Sequence, residues 1–180
     1  MNREVTAPPK RVALLVALCW LSMIGFDFLL HGGLLATFYA RPSPFLLPLE
    51  QAFRLIPLGY LSFLLLAVLL VWLMLGLGVR GWRGGLIFGV KLGALVWGAM
   101  VLGLMSVSTA SVGLLVGWFF GQTIELGIAG AFAGSGLSGA RLGRLLMGVI
   151  ALVLLSALIT VVLQSTGVAP SLRVRASDLT

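Results

Sequence analysis

Apolar residues in this chain fall in long continuous runs rather than in alternation. Five runs stand out, from about Val12 to Leu35, Leu58 to Val79, Leu86 to Val107, Val112 to Ala133 and Leu145 to Gln164. A helix needs about 20 apolar residues to cross roughly 30 Å of hydrocarbon, and lipid offers no partner for an unpaired backbone N–H or C=O. Each run reaches that length, and none shows the period of two expected of a barrel strand. The pattern predicts an all-α integral membrane protein with about five transmembrane helices in an antiparallel bundle. Residues 1–11 form an N-terminal segment, residues 12–164 the helical domain (spans 12–35, 58–79, 86–107, 112–133 and 145–164), and residues 165–180 a C-terminal tail.

The polar breaks sharpen this picture. Arg80 and Arg83, within Val79-Arg80-Gly81-Trp82-Arg83-Gly84-Gly85, separate the second and third spans. Ser106 to Ser111 separates the third and fourth and is short enough to force a hairpin; Gly134 to Arg144 separates the fourth and fifth. After the first span, Ala40-Arg41-Pro42-Ser43-Pro44 cannot continue a helix, because proline lacks an N–H and constrains its predecessor. From Pro48 a helical pattern resumes, with Leu49, Ala52, Phe53 and Ile56 on one face and Glu50, Gln51 and Arg54 on the other. Glu50 and Arg54 are spaced i,i+4 in the favourable order. This predicts a short interfacial helix over 48–56 in the first outer loop. The alternative is an outward extension of the second span, kinked at Pro57.

Composition agrees with the pattern: 60% of residues are hydrophobic and only 9% charged, against about 25% charged in soluble domains. Mean hydropathy is +1.15. Basic residues then set the orientation. With the N-terminus inside, the cytoplasmic side holds Arg3, Lys10, Arg11, Arg80, Arg83, Arg141 and Arg144, and the outside holds Arg41, Arg54, Arg173 and Arg175. The expected arrangement is N-terminus cytoplasmic and C-terminus external. The net charge of +7 reads as this orientation signal and as a fit to anionic lipid, not as a nucleic-acid surface. The first span is not read as a signal peptide: it is too long and lacks a small-x-small cleavage site.

Several chemistries drop out. Cys19 stands alone in a span, so it forms no intramolecular disulfide and packs as a small apolar residue. His31 is the only histidine, which excludes a bis-histidine haem and a thiolate or histidine zinc site. No phosphate loop, nucleophile elbow or metal motif occurs. No catalytic residue and no cofactor are predicted; a bound lipid, quinone or pigment stays open.

Small residues form two rows. Gly85, Gly89 and Gly93 repeat every four residues in the third span. Gly113, Gly117 and Gly121 do so in the fourth, and Glu125, Ala129 and Ala133 continue that row. Such faces let helix backbones approach closely in lipid. They either seal the bundle internally or dock on another membrane protein.

Three charges lie inside the spans: Asp27, Lys91 and Glu125. Each costs roughly 2.5–3.5 kcal/mol near the bilayer centre on insertion scales. At about 1.5 Å per residue, Lys91 and Glu125 sit roughly 8 and 12 Å from their inner helix ends, so an ion pair between them is one expectation. The other is that Lys91, which points away from its glycine face, snorkels to the headgroups. Glu125 is then paired, protonated by desolvation, or facing water or a partner, with Gln122 one turn away to share its hydrogen bonds. Asp27 and His31 are i,i+4 on the outer part of the first span, with Tyr39 and Tyr60 near the same level. A carboxylate beside an imidazole can relay a proton, orient a ligand or bind a quinone-type carbonyl. It can equally tie the span to the outer loop, for instance through Asp27 to Arg54 or His31 to a loop carbonyl.

Asp27-Phe28-Leu29-Leu30-His31-Gly32-Gly33-Leu34-Leu35 followed by Tyr39 resembles a group of small polytopic bacterial membrane proteins with no established activity. Their first helix ends in a similar Asp-x-x-x-His-Gly-x-x-Leu pattern with a following tyrosine. A glycine-rich third helix, like Gly85 to Gly93, and a tryptophan followed by glutamate in the fourth, like Trp118 and Glu125, extend the likeness over the first four spans. The fifth span and the tail Ala169 to Thr180 look like additions. The resemblance implies a topology and a bacterial inner membrane, but no activity. Two functions are expected from these features. The first is a non-catalytic accessory subunit of a larger membrane complex, respiratory or photosynthetic, docking through glycine-lined faces; its partners are membrane lipids and other membrane subunits, not nucleic acid. The second is a small transporter or channel component using Asp27, Lys91 and Glu125.

Overall fold

The computed structural model describes residues 8–170 apart from residue 42. Arg3, Pro42 and the tail residues Arg173, Arg175 and Asp178 lie outside the described residues. Helix α1 (Pro9–Leu29) runs into a π-helical turn (Leu30–Leu34) and the short α2 (Ala36–Tyr39). Four long helices follow: α3 (Leu49–Gly76), α4 (Trp82–Val107), α5 (Val112–Leu137) and α6 (Leu142–Ser165). Five stretches are long and apolar enough to cross a membrane, so this is a multi-pass membrane protein with an all-α bundle.

The helix ends have local causes. Pro9 opens α1, where a missing N–H costs nothing. The Ser111 side chain caps α5 by accepting from Leu114 N at 3.3 Å. Gly78, at φ +67°, lets Val79 N–H turn back to Met74 O at 2.9 Å and closes α3. Helix α5 continues to Leu137, past the expected break at Gly134, because Gly134 still packs on α4.

The separate interfacial helix over 48–56 is not formed. Those residues belong to α3, which passes unbroken through Pro57. A proline removes one backbone bond, but a following run that stays apolar to Gly76 keeps the helix going. At about 1.5 Å per residue, α3 extends roughly 42 Å, more than the ~30 Å hydrocarbon thickness. Arg54 and Glu50 pair on its exposed first turns.

Helix α1 is the hub, packing on α3, α5 and α6, while α4 lies along the other side of α5. Cys19 and Met23 of α1, Leu70 and Met74 of α3, and Leu126 and Ala129 of α5 are fully buried together. Trp20 Nε1 donates to Tyr60 O at 2.7 Å and ties α1 to α3. At the far end, the Arg11 guanidinium donates to Gly136 O at 2.8 Å and Ala140 O at 2.7 Å, closing the α5–α6 turn. A cation on helix C-terminal carbonyls is favoured by the helix dipole as well.

Both glycine rows are used inside the chain. A Cβ on Gly85 would collide with Gly130 O, one on Gly89 with Leu126 O, and one on Gly93 would meet Thr123 Cα at 2.9 Å. The row Gly113, Gly117 and Gly121 faces α1 and its continuation: Phe38, Leu35 and Leu30 fill the space over them. Lower on the same row, Cys19 Sγ approaches Ala129 O at 3.3 Å. These two rows are thus packed against other helices of the same chain.

Substituting Gly89→Leu should destabilise the bundle by about 1–3 kcal/mol or more, because backbone rather than a flexible side chain stands in the way. Gly103, with nothing within 4 Å, is the control, and Gly103→Leu should be near neutral. Unfolding of detergent-solubilised protein by titrated SDS checks both.

Candidate functional site

The site begins with the π turn. Leu35 N–H reaches Leu30 O at 2.7 Å, one residue further than an α-helical bond. Gly32 and Gly33 make the wider turn possible against α6, where a Cβ on Gly32 would meet Thr160 at 3.3 Å and one on Gly33 would meet Leu163 at 3.2 Å. Gln164 Nε2 of α6 donates to Gly32 O at 2.9 Å. Such turns are uncommon and frequent at functional sites. Here the turn swings α2 so that Tyr39 returns over His31.

A single file of hydrogen bonds results. Trp118 Nε1 can only donate, and it does so to Tyr39 Oη at 2.6 Å. The Tyr39 hydroxyl is then free to donate to His31 Nδ1 at 2.5 Å. That assignment keeps the imidazole proton on Nε2, which donates to Asp27 Oδ1 at 3.0 Å. Burial holds the Tyr39 phenol above its ordinary pKa; the Trp118 bond offsets part of this and the Asp27 carboxylate adds to it. Tyr39 therefore remains a donor. The Tyr39 and Trp118 rings pack against the imidazole, and Phe45 packs against Trp118.

Gln122 comes from α5, one turn below Trp118. Its Nε2 lies 3.4 Å from both Asp27 Oδ1, to which it donates, and His31 Nε2, while its Oε1 has no partner among the described residues although the residue is only 2% exposed. Both hydrogen bonds to Asp27 end on Oδ1, so Oδ2 takes none from the described residues. Trp97 Nε1 of α4 is likewise buried without a partner.

These groups edge a cavity of about 620 Å³. Asp27, His31, Tyr39, Trp118 and Gln122 form its polar wall; Phe53, Ile56, Tyr60 and Phe63 of α3 and Trp97 and Met100 of α4 supply the apolar and aromatic remainder. Phe53 (40%), Ile56 (37%) and Met100 (48%) are exposed on the bundle surface, so the cavity reaches the lipid-facing side. Its size falls within the usual 300–1,000 Å³ range of small-molecule sites.

Asp27 and His31 come together as their spacing suggested, and Gln122, expected to share hydrogen bonds with Glu125, joins them instead; the proposed tie from Asp27 to Arg54 is replaced by Arg54 pairing with Glu50. Glu125 lies one turn deeper on the α5 row facing α1, fully buried, with neither carboxyl oxygen partnered. Asp27 is close enough to act on it electrostatically. Lys91 does not pair with Glu125: it sits on an exposed face of α4 and makes no ion pair with the described residues. Depth matched, but the packing of Gly89 on α5 turns Lys91 away. Trp97, Gln164 and the π turn had no sequence reading; Gly32-Gly33 beside the lone histidine was the available signal. Comparison with protein-family models, curated proteins and solved structures returned no match.

Tyr39→Phe should cut both bonds of the relay and leave Trp118 Nε1 and His31 Nδ1 unpaired, at a cost of about 1–3 kcal/mol. Combined with Trp118→Phe, the loss should be less than the sum by about 0.5 kcal/mol or more. A double-mutant cycle on unfolding midpoints measures this; strict additivity would show the file is not connected.

Proposed function

We propose that this protein binds a small lipophilic molecule carrying a compact polar head, within the membrane, in the cavity between α1, α3, α4 and α5. The observation that carries the reading is a lipid-reaching cavity of about 620 Å³ on whose wall Asp27, His31, Tyr39, Trp118 and Gln122 come together. Two of its lining residues, Gln122 and Trp97, also hold a buried side-chain polar atom without a partner among the described residues; such an atom costs roughly 1–3 kcal/mol, and a ligand toward which these side chains turn would complete them. The accessory-subunit reading loses its main support, because the glycine rows are filled internally. The transport reading loses Lys91 as a pathway residue, but Asp27 and Glu125 remain neighbours within it.

The reading places the site in the outer half of a bacterial inner membrane. Lys10, Arg11, Arg80, Arg83, Arg141 and Arg144 all belong to the helix ends away from the cavity, while Arg41 and Arg54 lie at its end, which favours a cytoplasmic N-terminus.

Protein extracted in mild detergent should carry a small molecule detectable by mass spectrometry of its organic extract, and Trp97→Phe with Gln122→Met should lose it. Gln122→Met should at the same time leave the empty protein within about 1 kcal/mol of wild type, since losing the long Nε2 bond to Asp27 is offset by removing an amide oxygen without a partner among the described residues. A wild-type protein that carries nothing above the detergent control, and that is destabilised by Gln122→Met, would refute the reading.

A further inference from the structure

The chemistry of the bound head can be narrowed, on the premise that the cavity is a binding site. We infer that the ligand is an organic cation: a protonated amine, quaternary ammonium or phosphonium group on an apolar or aromatic body.

The wall leaves two oxygen acceptors unfilled. Among the described residues, nothing donates to Asp27 Oδ2 or to Gln122 Oε1, and both residues line the cavity. No lysine or arginine is among the described lining residues. His31 spends one nitrogen accepting from Tyr39 and the other donating to Asp27 Oδ1, so in this arrangement it brings no positive charge to the carboxylate. Glu125 lies just beneath as a second carboxyl group. The remaining wall includes the aromatic side chains of Tyr60, Phe63, Trp97 and Trp118; aromatic π faces attract cations, most strongly where water is excluded.

Other head chemistries fit less well. An anionic head would meet a carboxylate in surroundings of low dielectric, where like charges repel most strongly. A neutral carbonyl, such as a quinone oxygen, could take the Trp97 N–H but would leave both oxygen acceptors unfilled and one of them charged. A cation pairs by charge with the open Oδ2 of Asp27 whether or not it carries an N–H, and it lies among the aromatic side chains of the wall. Asp27 is part-buried and bonded only through Oδ1, so in a poorly hydrated site a cation at Oδ2 is favoured over a neutral or anionic head. The exposed Phe53, Ile56 and Met100 rim gives an amphipathic cation access from the bilayer rather than from water.

The test uses the full chain in phosphatidylcholine nanodiscs, with empty nanodiscs as the blank and equilibrium dialysis as the readout. Radiolabelled tetraphenylphosphonium is the cationic probe, triphenylphosphine oxide the neutral one and tetraphenylborate the anionic one. Saturable binding of the phosphonium near one per chain is expected, weakened about tenfold or more by Asp27→Asn and partly retained in Asp27→Glu. The oxide should bind more weakly and be indifferent to Asp27→Asn. Unfolding midpoints accompany each variant, and a weakened Asp27→Asn whose midpoint matches wild type counts in favour. Oxide binding as tight as the phosphonium, with neither changed by Asp27→Asn, overturns the cation assignment and leaves the cavity reading standing. Saturable tetraphenylborate binding at the same site overturns it as well. Absence of binding by all three probes overturns it too, and the extracted-molecule measurement then decides separately whether the cavity holds a ligand at all.

Discussion

The close approach of backbones along α5 is the contact on which the rest of the bundle depends. That helix carries small residues on two faces. Thr123, Gly127, Gly130 and Gly134 meet the glycines of α4, and Gly113, Gly117, Gly121, Ala129 and Ala133 lie toward α1 and its continuation. In lipid there is little hydrophobic gain from bringing helices together, so packing at backbone distance and interhelical hydrogen bonds must supply the association. With both faces of α5 occupied, α1 is fixed at the centre, and α3 and α6 close around it.

That tight frame makes the polar exceptions meaningful. Elsewhere in the core, buried hydroxyls bond back to their own helices: Ser22 to Cys19 O at 2.7 Å and Thr160 to Ser156 O at 2.8 Å. Arg11 is satisfied by two carbonyls of a turn. The unpartnered buried side-chain atoms fall instead on Trp97, Gln122, Thr123 and Glu125, in the same stretch of α4 and α5 and beside the only stretch of π-helix among the described residues. A frame that satisfies its polar groups so locally, and then fails to do so in one place, concentrates its unmet hydrogen-bonding capacity there.

The spans were legible because lipid demands continuous apolar runs, and five such runs survive as five helices. Asp27 and His31 were legible as a pair because i,i+4 spacing fixes a shared face. What a sequence period does not give is the neighbour opposite that face. The two glycine rows were visible, yet their partners were not: Gly89 meets Leu126 and Gly127, while Gly117 meets Leu35. Rise per residue placed Lys91 and Glu125 at similar depth, but depth without azimuth could not show that they face different ways. The break at Pro57 was over-read, since proline inside a long apolar helix loses one bond and no more. The cavity is a gap between helices, which no run of residues encodes.

The Arg11 clamp carries a consequence for synthesis. Its carbonyl partner lies 125 residues later in the chain. At about 5–20 residues per second, the ribosome needs roughly 6–25 s to make that stretch. For much of that interval α1 has only α3 of its eventual neighbours to pack on, tied by Trp20 to Tyr60 O, and its carboxylate and imidazole lack Gln122. The cavity wall is complete only once α5 is in place, and the π turn gains its Gln164 bond only once α6 has followed.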